Sequence, residues 1–420
     1  MIDNNSINEI LGIKESYELP DRLMELLLDN NTDELFDRFK SLESDMSYDW
    51  FTDYFQEQHS NRDSMMQDFT PKELCRLLPM LADEYDSVAD VCCGTGGLTI
   101  AAWNKNPQAL FYCEELSTRA FPLLLFNLAI RNITAVAVNK DVLKNEIYGI
   151  YKVDGGRVIK LDEMPEIGRM DIVVTNPPYS VKWKYNEKDL DIRFMEYGYP
   201  PTQFADYGFI LHALSLLKDN GRIYAILPHG ILFRGNREEQ IREKLINNRM
   251  WISVIGLPDK LFKNTSIPVC VCVFGASKDD GILFVDASRE YEKQAKYNKL
   301  NSEHLDKISM VFKSMLEVDR YSHIAKYSEL ADNGYNLNIP RYVDTWEAPA
   351  VPDLMEVMED MAELEQEILK TKLGLIEMMK QLTSDDPETV MELEQGIKLW
   401  EEAVNERVDE ESNGQLRFVI

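Results

Sequence analysis

The stretch Met170-Asp171-Ile172-Val173-Val174-Thr175-Asn176-Pro177-Pro178-Tyr179 decides how the rest of the chain is read. Its first six residues are mostly apolar and β-type and predict a buried strand; Asn-Pro-Pro-aromatic predicts a rigid loop at the strand's carboxyl end. Open α/β sheets carry out their chemistry at the carboxyl ends of their strands. Two prolines fix φ at about −65° and remove two N–H donors, so carbonyls in this loop stay free to accept. An Asn oxygen, a free carbonyl and an aromatic face then converge on one point, which suits a flat base presenting an exocyclic amine. A turn that merely caps the strand is the competing explanation, because Asn and Pro are ordinary turn residues.

Upstream lies a second signal of the same type. Ser87-Val88-Ala89-Asp90-Val91 predicts a strand, Cys92-Cys93-Gly94-Thr95-Gly96-Gly97 a glycine-rich turn, and Leu98 to Trp103 the start of a helix. Strand, glycine turn and helix together cradle a nucleotide-like ligand, because glycines let backbone approach it and helix N–H groups point at it. The pattern differs from the dinucleotide fingerprint and is weak as a lone motif. Ala109 to Cys113 predicts the next strand, ending at Glu114-Glu115, where Glu115 is placed to accept from ribose hydroxyls. Ala135 to Val138 predicts a third strand, ending near Asp141, an acceptor for an adenine amino group. Either acid alone reads as a solvated loop charge; successive strands ending in the required residues favour a cofactor site.

On these residues the chain resembles the S-adenosylmethionine-dependent adenine-N6 DNA methyltransferases, specifically the modification subunit of type I restriction–modification systems. The resemblance spans most of residues 67–382. Gln67-Asp68-Phe69-Thr70-Pro71 resembles the family's first cofactor motif, and Asp90 to Gly97 its glycine-rich motif. Asn176, Pro177, Pro178 and Tyr179 match the catalytic tetrad. Gly230 to Gly235, Val254 to Pro258, Leu261-Phe262 and Tyr335-Asn336-Leu337-Asn338-Ile339-Pro340-Arg341-Tyr342 follow the family pattern too. The last segment discriminates best, since the tetrad also occurs in glutamine and RNA methyltransferases. The resemblance implies a Rossmann-like class I methyltransferase sheet of α/β class, S-adenosylmethionine as cofactor, and a flipped adenine in DNA as substrate. It implies cofactor binding by Gln67, Thr70, Pro71, Lys72, Asp90, Gly94, Thr95, Gly96, Gly97, Glu115 and Asp141. It also implies hetero-oligomeric assembly with a specificity subunit, with a restriction subunit as a further candidate partner.

A chain of 420 residues buries a large core, here expected as a short helical N-terminal region (1–66), a methyltransferase domain (67–345) and an acidic helical tail (346–420). No apolar run approaches the roughly 18 residues a membrane span needs. The start, Met1-Ile2-Asp3-Asn4-Asn5, lacks a basic-then-apolar signal. Cysteines at 75, 92, 93, 113, 270 and 272 make no disulfide framework, which points to the cytoplasm. Cys270 and Cys272 alternate with valines as a buried strand would, His229 reads as a loop residue, and no His/Cys cluster predicts a metal.

The net charge is −28, from 73 acidic and 45 basic residues, which is unusual for a protein that meets DNA phosphates. From Trp346 to Ile420 there are 20 acidic and 6 basic residues, a net of −14. Lys182-Trp183-Lys184, Arg234 and Arg237 offer a local basic groove, yet the global field does not steer this chain to DNA unaided. A partner is therefore expected. Leu354, Met361, Ile368, Leu375 and Leu382 repeat every seven residues, with Val357, Leu364, Thr371 and Met378 between them. Such spacing over about four heptads describes a coiled-coil seam, and packing back on the chain's own domain is the competing explanation. A second helix, about 388–411, aligns Leu393, Ile397, Trp400 and Val404 on one face. Thr70-Pro71-Lys72-Glu73 predicts a capping box with Pro at the first helical position.

Overall fold

Runs such as Val88-Ala89-Asp90-Val91 and Ile172-Val173-Val174 are apolar to both sides of the pleat, so the strands they form need cover on both faces. The computed structural model describes residues 4–29, 32–52, 54, 70–185, 190–262, 267–295, 297–345 and 353–412. Among these, eleven strands form one mixed sheet. They are β1 (Ser87–Val91), β2 (Leu110–Glu115), β3 (Ala135–Asp141), β4 (Glu146–Asp154), β5 (Arg157–Leu161) and β6 (Met170–Thr175). The rest are β7 (Leu217–Pro228), β8 (Trp251–Gly256), β9 (Val269–Phe274), β10 (Gly281–Asp286) and β11 (Ser322–Lys326). Their spatial order is β11-β10-β8-β9-β7-β6-β1-β2-β3-β4-β5. From β7 across to β3 the neighbours are parallel. The chain moves outward from β1 to β2 and β3 on one side, and from β6 to β7 on the other. The switch point, where ligands bind in such sheets, lies between β1 and β6. This is the α/β, Rossmann-like class anticipated above.

The helices that frame the site are α1 (Asn4–Leu11), α2 (Leu19–Leu28), α3 (Asp33–Leu42), α4 (Lys72–Leu81), α5 (Gly97–Lys105), α6 (Phe121–Ile130) and α7 (Asp206–Leu216). On one face of the sheet, Val88, Phe111, Ile172 and Val174 pack with α4, α5 and α6. On the other, Ala89, Val91, Val173 and Ile223 pack with α7. All ten residues of α6 are buried, because α1 to α3 cover the side turned away from the sheet. Phe126 of α6 sits at the centre, with ring centroids of Phe36, Phe39 and Phe51 5.6, 4.7 and 5.2 Å away. The described residues between 4 and 54 thus share one apolar core with the sheet.

One local feature lies outside the sequence reading and one differs from it. Between the glycine turn and the tetrad, two βα units are followed by the β4–β5 hairpin. Its tip, Gly155-Gly156, has φ of 56° and 74°, the doubly left-handed pair that matches strand twist in a two-residue turn. At Thr70 the capping box does not form: α4 starts at Lys72 with no side-chain cap, and the Thr70 hydroxyl is engaged elsewhere.

Residues Glu347–Ile420 form a separate compact unit. It contains α8 (Leu354–Met379) and α9 (Pro387–Ser412). Ile376, Ile397 and Val404 are buried between them, with Leu369, Met379 and Leu393 packed around. Trp400 is not part of this seam. The seven-residue stripe remains open in this chain: Leu354 is 72% exposed, Leu364 57% and Met378 66%.

Candidate active site

Parallel pairing puts Val91 of β1 beside Thr175 of β6, so the turn after β1 and the tetrad after β6 leave adjacent carboxyl ends. The Thr175 hydroxyl donates to the Val91 carbonyl at 2.6 Å and locks the two ends together. Both loops line a cavity of about 1170 Å³, together with Thr70, Glu115 and Asp141. Cys92, Gly94 and Gly96 all have left-handed backbone, with φ of 61°, 59° and 95°. Cys92 pays a steric cost there that glycine avoids, as residues at ligand-binding turns often do. Gly96 faces away from the cavity, where an added Cβ would lie 2.9 Å from Leu124.

Every sequence-derived candidate but Gln67 has a definite place. Gly94, Thr95, Gly97, Glu115, Asp141, Thr70 and Asn176 to Tyr179 line the cavity. Asp90 lies fully buried beneath the turn; one carboxylate oxygen accepts from Thr99 at 2.6 Å and the other is unpartnered. Burial pushes its pKa up to about 7. Pro71 and Lys72 do not line the cavity, and the Lys72 ammonium sits 3.6 Å over the Tyr48 ring. Gln67 falls outside the described residues.

The strand-end acids are held by backbone. Glu115 accepts from Gly94 N at 2.7 Å and from Ser117 N at 2.6 Å, so it braces the glycine turn while facing the cavity. Asp141 accepts from the Lys144 backbone at 3.1 Å and pairs with its ammonium at 3.0 Å. Each Asp141 carboxylate oxygen retains a lone pair for a ligand amine.

The tetrad is aimed from two sides. Asn176 Nδ2 donates to Thr70 Oγ1 at 2.9 Å, and Tyr179 OH donates to Asn176 Oδ1 at 2.7 Å. The amide is therefore fixed with its oxygen on the tyrosine side. Tyr179 itself stands edge-on against Phe262, centroids 6.4 Å apart.

The profile of N-6 DNA Methylase matches residues 43–349. The chain belongs to the N-6 DNA methylase family. It is 30% identical over 357 residues to the type I restriction enzyme MjaVII methylase subunit of Methanocaldococcus jannaschii, covering 79% of this chain and 58% of that protein. It is 29% identical over 325 residues to the type I restriction enzyme MpnII methylase subunit of Mycoplasma pneumoniae, covering 73% and 58%. A solved type I restriction–modification system methyltransferase subunit from Streptococcus thermophilus superposes with a TM-score of 0.60 at 30% identity, covering 77% of this chain and 67% of that one. The chain spans 58% of the length of both curated relatives.

Sequence reasoning missed several residues that shape the site of this N-6 DNA methylase family member. Asp49, buried, accepts from Thr95 Oγ1 at 2.5 Å, from Thr52 Oγ1 at 2.5 Å and from Asn127 at 2.7 Å, so the N-terminal region braces the glycine turn directly. The signal was a lone acid flanked by aromatics in Tyr48-Asp49-Trp50. Glu114, beside the anticipated Glu115, lines the cavity inside a buried polar cluster. It accepts from His212 Nε2 at 2.6 Å, Lys140 Nζ at 2.8 Å and Tyr112 OH at 2.7 Å. Burial alone would raise its pKa, but His212 and Lys140 hold it down to about 2. No local pattern marks His212, which reaches Glu114 from α7. Arg234, read as a groove cation, is turned inward onto Asp206 at 2.8 Å and Glu238 at 2.9 Å. Lys182, Trp183 and Lys184 do line the cavity.

Proposed function

We propose that this chain transfers a methyl group from S-adenosylmethionine to N6 of adenine in DNA, as a modification subunit working with a separate specificity subunit. The observation that carries the reading is the tetrad and the glycine turn leaving neighbouring parallel strands and lining one cavity. Membership of the N-6 DNA methylase family and the likeness to type I methylase subunits support it.

The residues present fit the cofactor. Gly94 offers backbone at the cavity wall, Glu115 suits the ribose hydroxyls, and Asp141 suits the adenine amino group. Thr70, which lines the cavity just before α4, and the helix N-terminus that follows it suit the carboxylate, with Gln67, Pro71 and Lys72 in the same motif. Thr95, Gly96, Gly97 and Asp90 shape the turn from within. Bound there, the cofactor supplies an electrophilic methyl group on a sulfonium sulfur.

Adenine N6 is a poor nucleophile because its lone pair is delocalised into the ring. Asn176 Oδ1 and the Pro177 carbonyl accept its two N–H bonds and draw the nitrogen toward tetrahedral geometry, which localises the pair. Tyr179 stacks on the base, returning about 1–3 kcal/mol against the few kcal/mol of leaving the duplex. Holding the amine in line contributes through proximity, with no covalent enzyme intermediate. Recognition of a target sequence is assigned to the specificity subunit, because no inserted block between the motifs serves as a reading domain. The exposed stripe of α8 is the surface for its helices.

Radiolabelled methyl transfer to genomic DNA, with and without the specificity subunit, tests this. Label in DNA only when that subunit is present is the expected result. Label in protein or RNA instead would replace the substrate, and complex formation with no label would make the chain a binding protein. Asn176→Ala is expected to lower transfer by ~1000-fold or more with cofactor affinity retained, as loss of an interaction made at the reacting atom requires.

A further inference from the structure

The Gly230–Gly235 and Tyr335–Tyr342 segments carry much of the family likeness, yet neither lines the cavity. Their hydrogen bonds lead back to the tetrad. Ser180, directly after Tyr179, has left-handed backbone (φ 54°), and its N–H donates to Asp206 Oδ1 at 2.9 Å. Asp206 is fully buried at the first residue of α7. Its other oxygen accepts from Arg234 Nη1 at 2.8 Å, and Arg234 Nη2 reaches Ser180 Oγ at 3.4 Å. The guanidinium lies 4.4 Å over the Phe204 ring.

The sequence around Arg234 is built for this inward turn. An added Cβ at Gly230 would lie 2.5 Å from the guanidinium, so only glycine leaves room. Arg242, itself buried, donates to the carbonyls of Arg234 at 3.0 Å, Ile231 at 3.2 Å and Tyr335 at 2.7 Å. Leu337 N donates to Leu232 O at 2.9 Å. The Tyr335–Tyr342 segment is thereby fastened to the loop that carries Arg234.

We propose that Asp206 is a positioning residue for methyl transfer: gripped by Arg234, its carboxylate fixes the Ser180 backbone and with it the aim of Asn176 and Tyr179. The inference rests on the tetrad reading above. Asp206 touches no substrate. It acts by holding the downstream end of the loop whose upstream end is fixed by β6, while Thr70 orients the Asn176 amide. Misplacement by about 1 Å costs ~100-fold in a reaction that depends on alignment. Removing the Asp206 carboxylate leaves Arg234 paired with Glu238, so the guanidinium keeps a buried partner.

The test compares Asp206→Ala and Asp206→Asn with wild type and Asn176→Ala, each as the full chain with the specificity subunit. For Asp206→Ala, turnover is expected to fall by ~100-fold while KM for DNA, cofactor affinity and melting temperature stay close to wild type. Fluorescence of 2-aminopurine at the target position should still report an unstacked base. Asp206→Asn should lie between, since its amide oxygen still accepts from Ser180 while its NH2 cannot accept from Arg234; it also serves if the alanine variant does not fold. Wild-type turnover in Asp206→Ala, or parallel loss of turnover, cofactor binding and melting temperature in both variants, overturns the positioning role. An active Asn176→Ala overturns the underlying tetrad reading instead.

Discussion

Asp90 carries a carboxyl whose chemistry departs far from its solution behaviour. Its carboxyl is fully buried with one oxygen unpartnered, and burial lifts its pKa to about 7. The unfolded chain titrates it at about 3.9. Between these values the folded state holds one more proton than the unfolded state, so stability falls as pH rises from about 4 to 7 and stays reduced above. Asp90→Asn cannot ionise. In cofactor-free protein it should therefore melt higher than wild type at pH 8 and show little or no gain at pH 5; equal shifts at both pH values would contradict the buried charge. Asn176 makes the complementary case. In the proposed reaction its role depends on which end of the amide faces the base, and Thr70 and Tyr179 fix that end from opposite sides.

At the scale of elements, α6 matters more than its sequence announces. It carries none of the candidate site residues, yet it joins the sheet to α1 to α3. Arg131, just past its end, donates to the carbonyls of Met46 at 2.8 Å and Tyr48 at 2.5 Å, next to Asp49. A defect in α6 is thus transmitted to the brace on Thr95. Phe126→Ala removes the ring on which three others converge and should cost about 3–5 kcal/mol in urea unfolding. A loss below about 1 kcal/mol would show that the N-terminal helices pack independently of the sheet. Helix α7 has a similar double duty, with Asp206 at its start toward the tetrad and His212 toward Glu114.

For the whole molecule, charge is the governing fact. With a net −28, half of it in the last 75 residues, the proposed binding to DNA would rest on a few local cations such as Lys182 and Lys184 and on the proposed partner. Met361→Glu with Ile368→Glu places charge on the open stripe of α8, away from buried Ile376. The pair should abolish co-purification with the specificity subunit and leave the melting temperature unchanged; retained co-purification would move the partner's seat elsewhere. The strands of the sheet centre, the glycine turn and the tetrad were legible from the chain because each is a local pattern. Apolar runs fix strands, glycines permit a left-handed turn, and prolines stiffen a loop, all without reference to distant residues. What the chain alone could not reveal were partnerships across the fold: Asp49 on Thr95, Thr70 on Asn176, His212 on Glu114, and Arg234 turned inward onto Asp206. Each joins segments far apart in sequence, and only the order of strands and the stacking of helices upon them brings those atoms within hydrogen-bond distance.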